Sequence, residues 1–305
     1  MFANNRRKAY MAAVLNALII GFSFLFVKMA LAEASPFDLL AYRFTASFAA
    51  VLPVMLVLKP KDLAALLPLA LLYPGLFFAY QTVGLVYASS SEAGIIQAAV
   101  PIFTLLLAAC FLKERASRHH YLFMLLSVAG VVTIVVMKGT KLGNGSSAAG
   151  LLFVLVSAVS LAGYSILARK LTKSYGVIEI TFVMAFLGFL VFGGIAVVQH
   201  AVQGNWGSFF RPLASRPFLV SILYLGVLSS LVTSYLSNYA LSQIEAYKIS
   251  IFNQLATMVS IAAGVIVLHE PLLIYHVIGA VLIIAGVVGV CIPASTMKKP
   301  SPLSR

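Results

Sequence analysis

Polar side chains set singly inside long apolar runs are the first groups in this sequence with chemistry to offer. Asn16, Ser23, Tyr80, Gln81, Gln97, Tyr164, Ser165, Tyr235, Asn238 and Asn253 each lie well inside such a run. A polar group taken out of water without a partner costs roughly 2–7 kcal/mol, so each must bond to a neighbouring helix or to a bound solute. Two pairs recur at fixed separations: Ser23 with Ser165 at 142 positions, and Gln97 with Asn253 at 156. These ten residues are the expected lining of a substrate cavity; the plain use of any one is a bond between helices.

Charges at membrane depth are costlier still, by about 2.5–3.5 kcal/mol on insertion scales, and point to function by default. Arg43 falls seven residues into the run that opens at Pro36, which is about 10 Å along a helix. It holds an anionic substrate, braces an outer gate through Glu33 or Glu92, or snorkels to the interface on its long stem. Glu92 closes the pattern Ser89-Ser90-Ser91-Glu92, and Glu245 closes Ser242-Gln243-Ile244-Glu245, both capping boxes in which a carboxylate meets the free amides of a helix start. Glu92 is therefore a gating candidate and a cap at once. Glu114 and Glu270 end apolar runs and read as structural. His120 and His276 follow them singly, which is not metal-ligand spacing.

Catalysis finds little support. The chain has no His-Glu-x-x-His and no Gly-x-Ser-x-Gly, and its two Asp stand at run ends. Lys173-Ser174 follows Thr172 where a phosphate-binding loop needs Gly. Cys110 and Cys291 lie inside apolar runs as small hydrophobes. No catalytic residue, metal or cofactor is expected.

The elements that must position these groups follow from composition. Of 305 residues, 62% are hydrophobic and only 10% charged, with a mean hydropathy of +1.03. A soluble domain carries about 25% charged residues, whereas a helix facing lipid needs roughly 20 apolar residues to cross the bilayer. Apolar runs at 10–32, 36–58, 63–88, 91–112, 119–138, 148–169, 178–201, 217–240, 245–268 and 271–292 predict ten transmembrane helices. The first run is too long for a signal peptide.

The net charge of +13 is spread over short loops and is not interleaved with exposed aromatics, so it marks topology and not a nucleic-acid surface. With the N-terminus placed in the cytoplasm, fifteen Lys and Arg fall inside and four outside, while Lys28 and Arg43 lie within helices. That bias predicts both termini inside. The longest connection, His200 to Arg216 with Trp206, Phe209 and Phe210, falls outside and is expected to lie in the interface. A Gly/Ser/Asn-rich stretch, Gly139 to Ser147, divides the chain in two.

The halves resemble each other. Gly21-Phe22-Ser23 and Lys28 recur as Gly163-Tyr164-Ser165 and Lys170; Leu112, Glu114, His120 and Ala129-Gly130-Val131-Val132 recur as Leu268, Glu270, His276 and Ala285-Gly286-Val287-Val288. Five helices per half invert the second half in the membrane. The expected architecture is an all-α polytopic membrane protein of ten helices in two inverted five-helix repeats, 10–138 and 148–292. Such repeats enclose a midplane site reached alternately from each side.

Ten helices in two halves, the Leu-x-Glu motifs Leu112-Lys113-Glu114 and Leu268-His269-Glu270, and Gly-Val in the following helices resemble the EamA family of the drug/metabolite transporter superfamily. The resemblance implies a transporter of small molecules, with amino-acid and metabolite exporters among the family. The common proline of the fourth helix is present as Pro101, and Thr257 stands at the matching place in the ninth. The expectation is a secondary transporter or facilitator that exports amino acids or related metabolites across a bacterial plasma membrane, its partners being a small-molecule substrate and the lipid bilayer. A lipid-moving or channel-like protein is the alternative, and an intramembrane enzyme comes third.

Overall fold

The computed structural model describes residues 2–55, 63–112, 146–244, 246–291 and scattered positions between 122 and 137. All regular elements among them are helical. Helix α1 runs Phe2–Leu31 and α2 Pro36–Met55. Helix α3, Leu63–Ala70, passes through a π-helical stretch, Leu71–Leu76, into α4, Phe77–Tyr87; α5 is Ser90–Gln97 and α6 Val100–Leu112. The second half contains α7 (Ser146–Leu171), α8 (Val177–Gln203), the short α9 (Trp206–Phe210) and α10 (Arg216–Leu223). A π-helical stretch, Tyr224–Val232, leads on to α11 (Thr233–Gln243), and α12 (Ala246–Val267) and α13 (Ile274–Cys291) follow. The predicted fifth span, 119–138, and the linker 139–147 lie largely outside the described residues.

Among the described residues, six helical segments are long and apolar enough to cross a membrane: Arg7–Leu31, Ala65–Tyr87, Ser90–Leu107, Ala148–Leu171, Val177–Gln203 and Arg216–Gln243. Two shorter apolar helices, Leu255–Val267 and Ile274–Gly286, accompany them. The expectation of an all-helical, polytopic membrane chain is met.

Local chemistry sets the starts. Pro36 opens α2, and the Ser35 hydroxyl accepts the Asp38 amide at 3.3 Å while donating to the Asp38 carboxylate at 2.8 Å. Helix α5 begins with the capping box read from sequence: Glu92 N donates to Ser89 Oγ at 3.1 Å, and Ser89 N to Glu92 Oε2 at 2.8 Å. Proline sets the interruptions. The chain departs from helical geometry at Tyr73, before Pro74, and α5 gives way to α6 at Ala98-Ala99, before Pro101. Pro101 has no N–H for the Gln97 carbonyl, and its ring crowds the preceding turn. Helix α12, with Thr257 at the matching place, runs unbroken.

The main packing partners come from opposite halves: α1 lies along α12, α2 along α8, and α4 along α7. Glycines bring the helices close. A Cβ on Gly84 would stand 2.9 Å from the Gly150 carbonyl, and one on Gly150 3.1 Å from the Gly84 carbonyl, so α4 and α7 meet backbone to backbone.

Candidate substrate-binding site

Between the halves lies a narrow cavity of about 50 Å³. Its wall is built by α1 (Asn16, Ile20, Ser23, Phe24), α2 (Arg43), Tyr73 at the kink, α4 (Phe77, Phe78, Gln81) and α5 (Gly94, Gln97) from the first half. The second half adds Leu161, Tyr164 and Ser165 of α7, Ser229, Thr233 and Ser237 of the eighth predicted span, and Ile249, Ala256 and Thr257 of α12. Five aromatic side chains, Phe24, Tyr73, Phe77, Phe78 and Tyr164, stand in this wall, with polar groups at separate points between them.

Arg43 dominates the electrostatics. It is 1% exposed, and its Nε donates to Ser230 Oγ at 2.6 Å, its Nη2 to Ser229 Oγ at 2.8 Å and to the Ser229 carbonyl at 3.2 Å. Its Cζ lies 4.0 Å from the centre of the Phe78 ring, a cation–π contact. None of these partners is a carboxylate. Nη1 is buried without a hydrogen-bond partner. The sequence offered Glu33 and Glu92 as braces, but Glu33 accepts from Ser215 and Glu92 caps α5 and meets His276. A guanidinium on the cavity wall with Nη1 unused can donate a charge-assisted hydrogen bond to an anion.

Two further polar atoms on the same wall are unpartnered: Asn16 Oδ1 and Gln97 Oε1. The Gln97 amide is held by its other end, Nε2 donating to Ser157 Oγ at 2.8 Å, which leaves the carbonyl oxygen for the cavity. One cationic donor and two neutral acceptors, set among Phe24, Tyr73, Phe77, Phe78 and Tyr164, can bind a small molecule that carries a carboxylate, an amine or hydroxyl, and an apolar body.

Of the ten neutral residues singled out, Asn16, Ser23, Gln81, Gln97, Tyr164 and Ser165 line the cavity. Ser23 and Ser165, the pair at 142, both return their hydroxyls to their own helices, to Ile20 O at 2.7 Å and Leu161 O at 2.9 Å. Asn238 sits behind the wall, accepting from the Tyr164 hydroxyl at 2.8 Å and donating to Thr181 Oγ1 at 3.2 Å, and so fixes Tyr164. Tyr80 stacks on Phe153 away from the lining. Tyr235 is 41% exposed and lines a separate groove with Arg7, Lys8 and Tyr10. The Asn253 side chain lies outside the described residues.

Sequence reasoning missed Ser229 and Ser230, which read as small packing residues in an apolar run. Their adjacency is the only signal that could have flagged them. It also missed the cross-half bonds at one end of the bundle. Asp38 Oδ1 meets His200 Nε2 at 2.7 Å, and Glu92 Oε1 meets His276 Nε2 at 3.2 Å. Glu270, expected to be structural, accepts from Ser90 N at 2.7 Å, Ser91 N at 2.9 Å and Ser91 Oγ at 2.7 Å, capping α5 from the far half.

The model of the EamA-like transporter family matches residues 7–136 and again 148–292, together most of the chain. The protein belongs to the EamA-like transporter family. It is 52% identical over 295 residues to the uncharacterized transporter YcxC of Bacillus subtilis (strain 168), covering 95% of this chain and 94% of that one. An uncharacterized transporter of Archaeoglobus fulgidus is 27% identical, over 92% and 97% of the two chains. The WAT1-related protein At3g18200 of Arabidopsis thaliana is 25% identical over 68% of this chain and 59% of its own. A crystal structure covering 93% of this chain and 97% of its own, at 19% identity and a TM-score of 0.63, shares the fold. The protein is an integral membrane transporter of this family, not an enzyme.

Proposed function

We propose that this EamA-like transporter exports amino acids or closely related carboxylate metabolites across the bacterial plasma membrane by alternating access, both termini facing the cytoplasm. The observation that carries the substrate class is Arg43, a buried cation with no carboxylate partner and one free donor on the cavity wall. The carbonyl oxygens of Asn16 and Gln97 are left to accept an ammonium, and the aromatic wall to contact the side chain. Two charges of opposite sign at fixed separation are what the α-carbon of an amino acid offers, and desolvated recognition of both selects strongly.

Three observations support ten helices in inverted repeats. The family model matches twice, once in each half. Both the third and the eighth predicted spans contain a π-helical stretch, Leu71–Leu76 and Tyr224–Val232. Packing is also reciprocal when the halves are exchanged: the first span lies on the ninth as the sixth does on the fourth, and the third on the sixth as the eighth does on the first. Alternating access is supported by the bonding at one end, where Glu33–Ser215, Asp38–His200, Ser90/Ser91–Glu270 and Glu92–His276 all tie first half to second. The charge count assigns that end to the outside, so this is a state closed outward.

Proteoliposomes filled with single radiolabelled L-amino acids test the reading. Efflux of at least one amino acid is expected, inhibited by other L-amino acids and not by the matching amines that lack the carboxylate. Equal inhibition by the decarboxylated amines sinks the carboxylate reading; no efflux of any amino acid sinks the substrate class.

A further inference from the structure

The outward end contains two buried His–carboxylate pairs, and their hydrogen-bond surroundings differ in one decisive respect. In the pair between α5 and α13, His276 Nδ1 accepts the Leu273 amide at 3.2 Å, so the ring proton is on Nε2 and is donated to Glu92 Oε1 at 3.2 Å. A neutral imidazole beside a carboxylate satisfies both of these bonds. In the pair between α2 and α8, His200 faces an acceptor at both nitrogens: the Asn205 carbonyl lies 3.0 Å from Nδ1 and Asp38 Oδ1 2.7 Å from Nε2. A neutral imidazole has one N–H and cannot donate twice. Both bonds exist together only when the pair holds one additional proton, as imidazolium with carboxylate or as imidazole with carboxylic acid.

We propose that Asp38 and His200 form a binding site for one proton taken from the outer face, and that this proton latches α2 to α8 and closes the transporter outward. Release passes the proton to outer water and leaves imidazole beside carboxylate, one positive charge fewer, with either the Asn205 or the Asp38 bond lost. The two side chains are 2% and 7% exposed, and His200 lies in the last turn of α8, beneath Trp206 and Phe209 of α9, at ring-centre distances of 5.9 and 5.2 Å. Asp38 supplies the charge that acts on the ring. The other titratable neighbour on α2 is Tyr42, whose hydroxyl donates to the Phe209 carbonyl at 2.6 Å. At the same end, Glu33 is engaged by Ser215, while Arg211 and Arg216 are exposed. Arg43 follows Asp38 by five residues on α2, so freeing the outer end of α2 also frees the helix that carries the proposed substrate-binding cation.

The inference rests on the alternating-access reading but can be tested without a substrate. In right-side-out vesicles of an Ala256→Cys variant with Cys110 and Cys291 replaced by Ser, a membrane-impermeant maleimide is applied from outside between pH 6 and 8.5. Labelling is normalised to the same cysteine in detergent-unfolded protein at each pH. Labelling of the cavity cysteine is expected to fall several-fold towards pH 6. His200→Gln and Asp38→Asn should flatten that profile, whereas His276→Gln should keep it. A profile that is flat in the parent, or unchanged in both His200→Gln and Asp38→Asn, overturns the latch. Spectra of histidine-15N protein in nanodiscs give a second reading. A doubly protonated imidazole lost in His200→Gln, or a carboxylic acid C=O stretch lost in Asp38→Asn, is required near pH 6, and the absence of both overturns the site even if a variant folds poorly. A pH-dependent label alongside failed amino-acid efflux would count against the proposed substrate and leave the latch standing.

Discussion

At the scale of single residues, the proposed site rests on a cation with one nitrogen left unpartnered. Arg43 spends three donor contacts on Ser229 and Ser230 and leaves Nη1 for the cavity. A hydrogen bond to a charged group contributes about 1.5–3 kcal/mol, so Arg43→Gln is expected to reduce amino-acid efflux by at least an order of magnitude. Arg43→Lys is expected to recover only part of it, because an ammonium cannot hold the serine pair and a carboxylate in one plane. Equal efflux by the glutamine variant and the parent, measured per folded transporter, would remove Arg43 from the site. Gln97→Ala removes one acceptor and the Ser157 bond, and a several-fold loss of flux is expected with the protein still monodisperse. The sequence made Arg43 conspicuous through the cost of a charge at that depth, and Gln97 through its repeat. It could not supply Arg43's partners, because Ser229 and Ser230 are 186 and 187 positions away and look like packing. Only the closure of the bundle brings them together.

Among elements, what was legible is what local chemistry decides. Ser35-Pro36-Phe37-Asp38 and Ser89 with Glu92 start helices where the sequence placed them, and most described run ends fall within a few residues of the observed ones, although α1 begins at Phe2, well ahead of the predicted run at 10–32. The π-helical stretches were not legible, since a π-turn answers packing against neighbours and has no composition of its own. Nor could Asp38–His200 or Glu92–His276 be read, as each joins run ends 162 or 184 positions apart. Pro101 stood in the sequence as the common proline of the fourth helix, and the break before it gives a prediction. Pro101→Ala restores an N–H for the Gln97 carbonyl and lets α5 and α6 join as one helix. The thermal midpoint should rise while exchange of labelled amino acid slows several-fold. Faster exchange would show that the break is not a working hinge. The glycine contacts give a second. Gly84→Val sets a side chain against Gly150 and Val154, where overpacking costs about 1–3 kcal/mol, and should lower the midpoint. Gly194→Ala, with nothing within 4 Å of the new Cβ, should raise it slightly through helix propensity, by up to about 1 kcal/mol.

For the whole molecule, the proposed inverted arrangement makes orientation the statement on which the mechanism turns. On the proposed topology, with fifteen Lys and Arg inside and four outside, the loop at Ser174 is cytoplasmic and the connection at Ala214 lies outside. Both positions are exposed, so each can be tested by one cysteine in a chain with Cys110 and Cys291 replaced. An impermeant maleimide on intact cells should label Ala214→Cys, and should reach Ser174→Cys only after permeabilisation. The reverse pattern would leave the fold and the cavity as they are, since neither depends on which side is out. It would turn the cross-half bonds of Asp38, Glu92 and Glu270 into a cytoplasmic closure, make the proton on His200 a sensor of internal pH, and convert the outward-closed state into an inward-closed one. Labelling of both positions from outside would be more damaging. The two loops are joined by α8 alone, a single apolar helix of 27 residues that is long enough to cross the bilayer once. If its ends were on one side, the bundle would have to open to lipid through the α2–α8 contact, and the reciprocal packing of the two halves could not enclose a site.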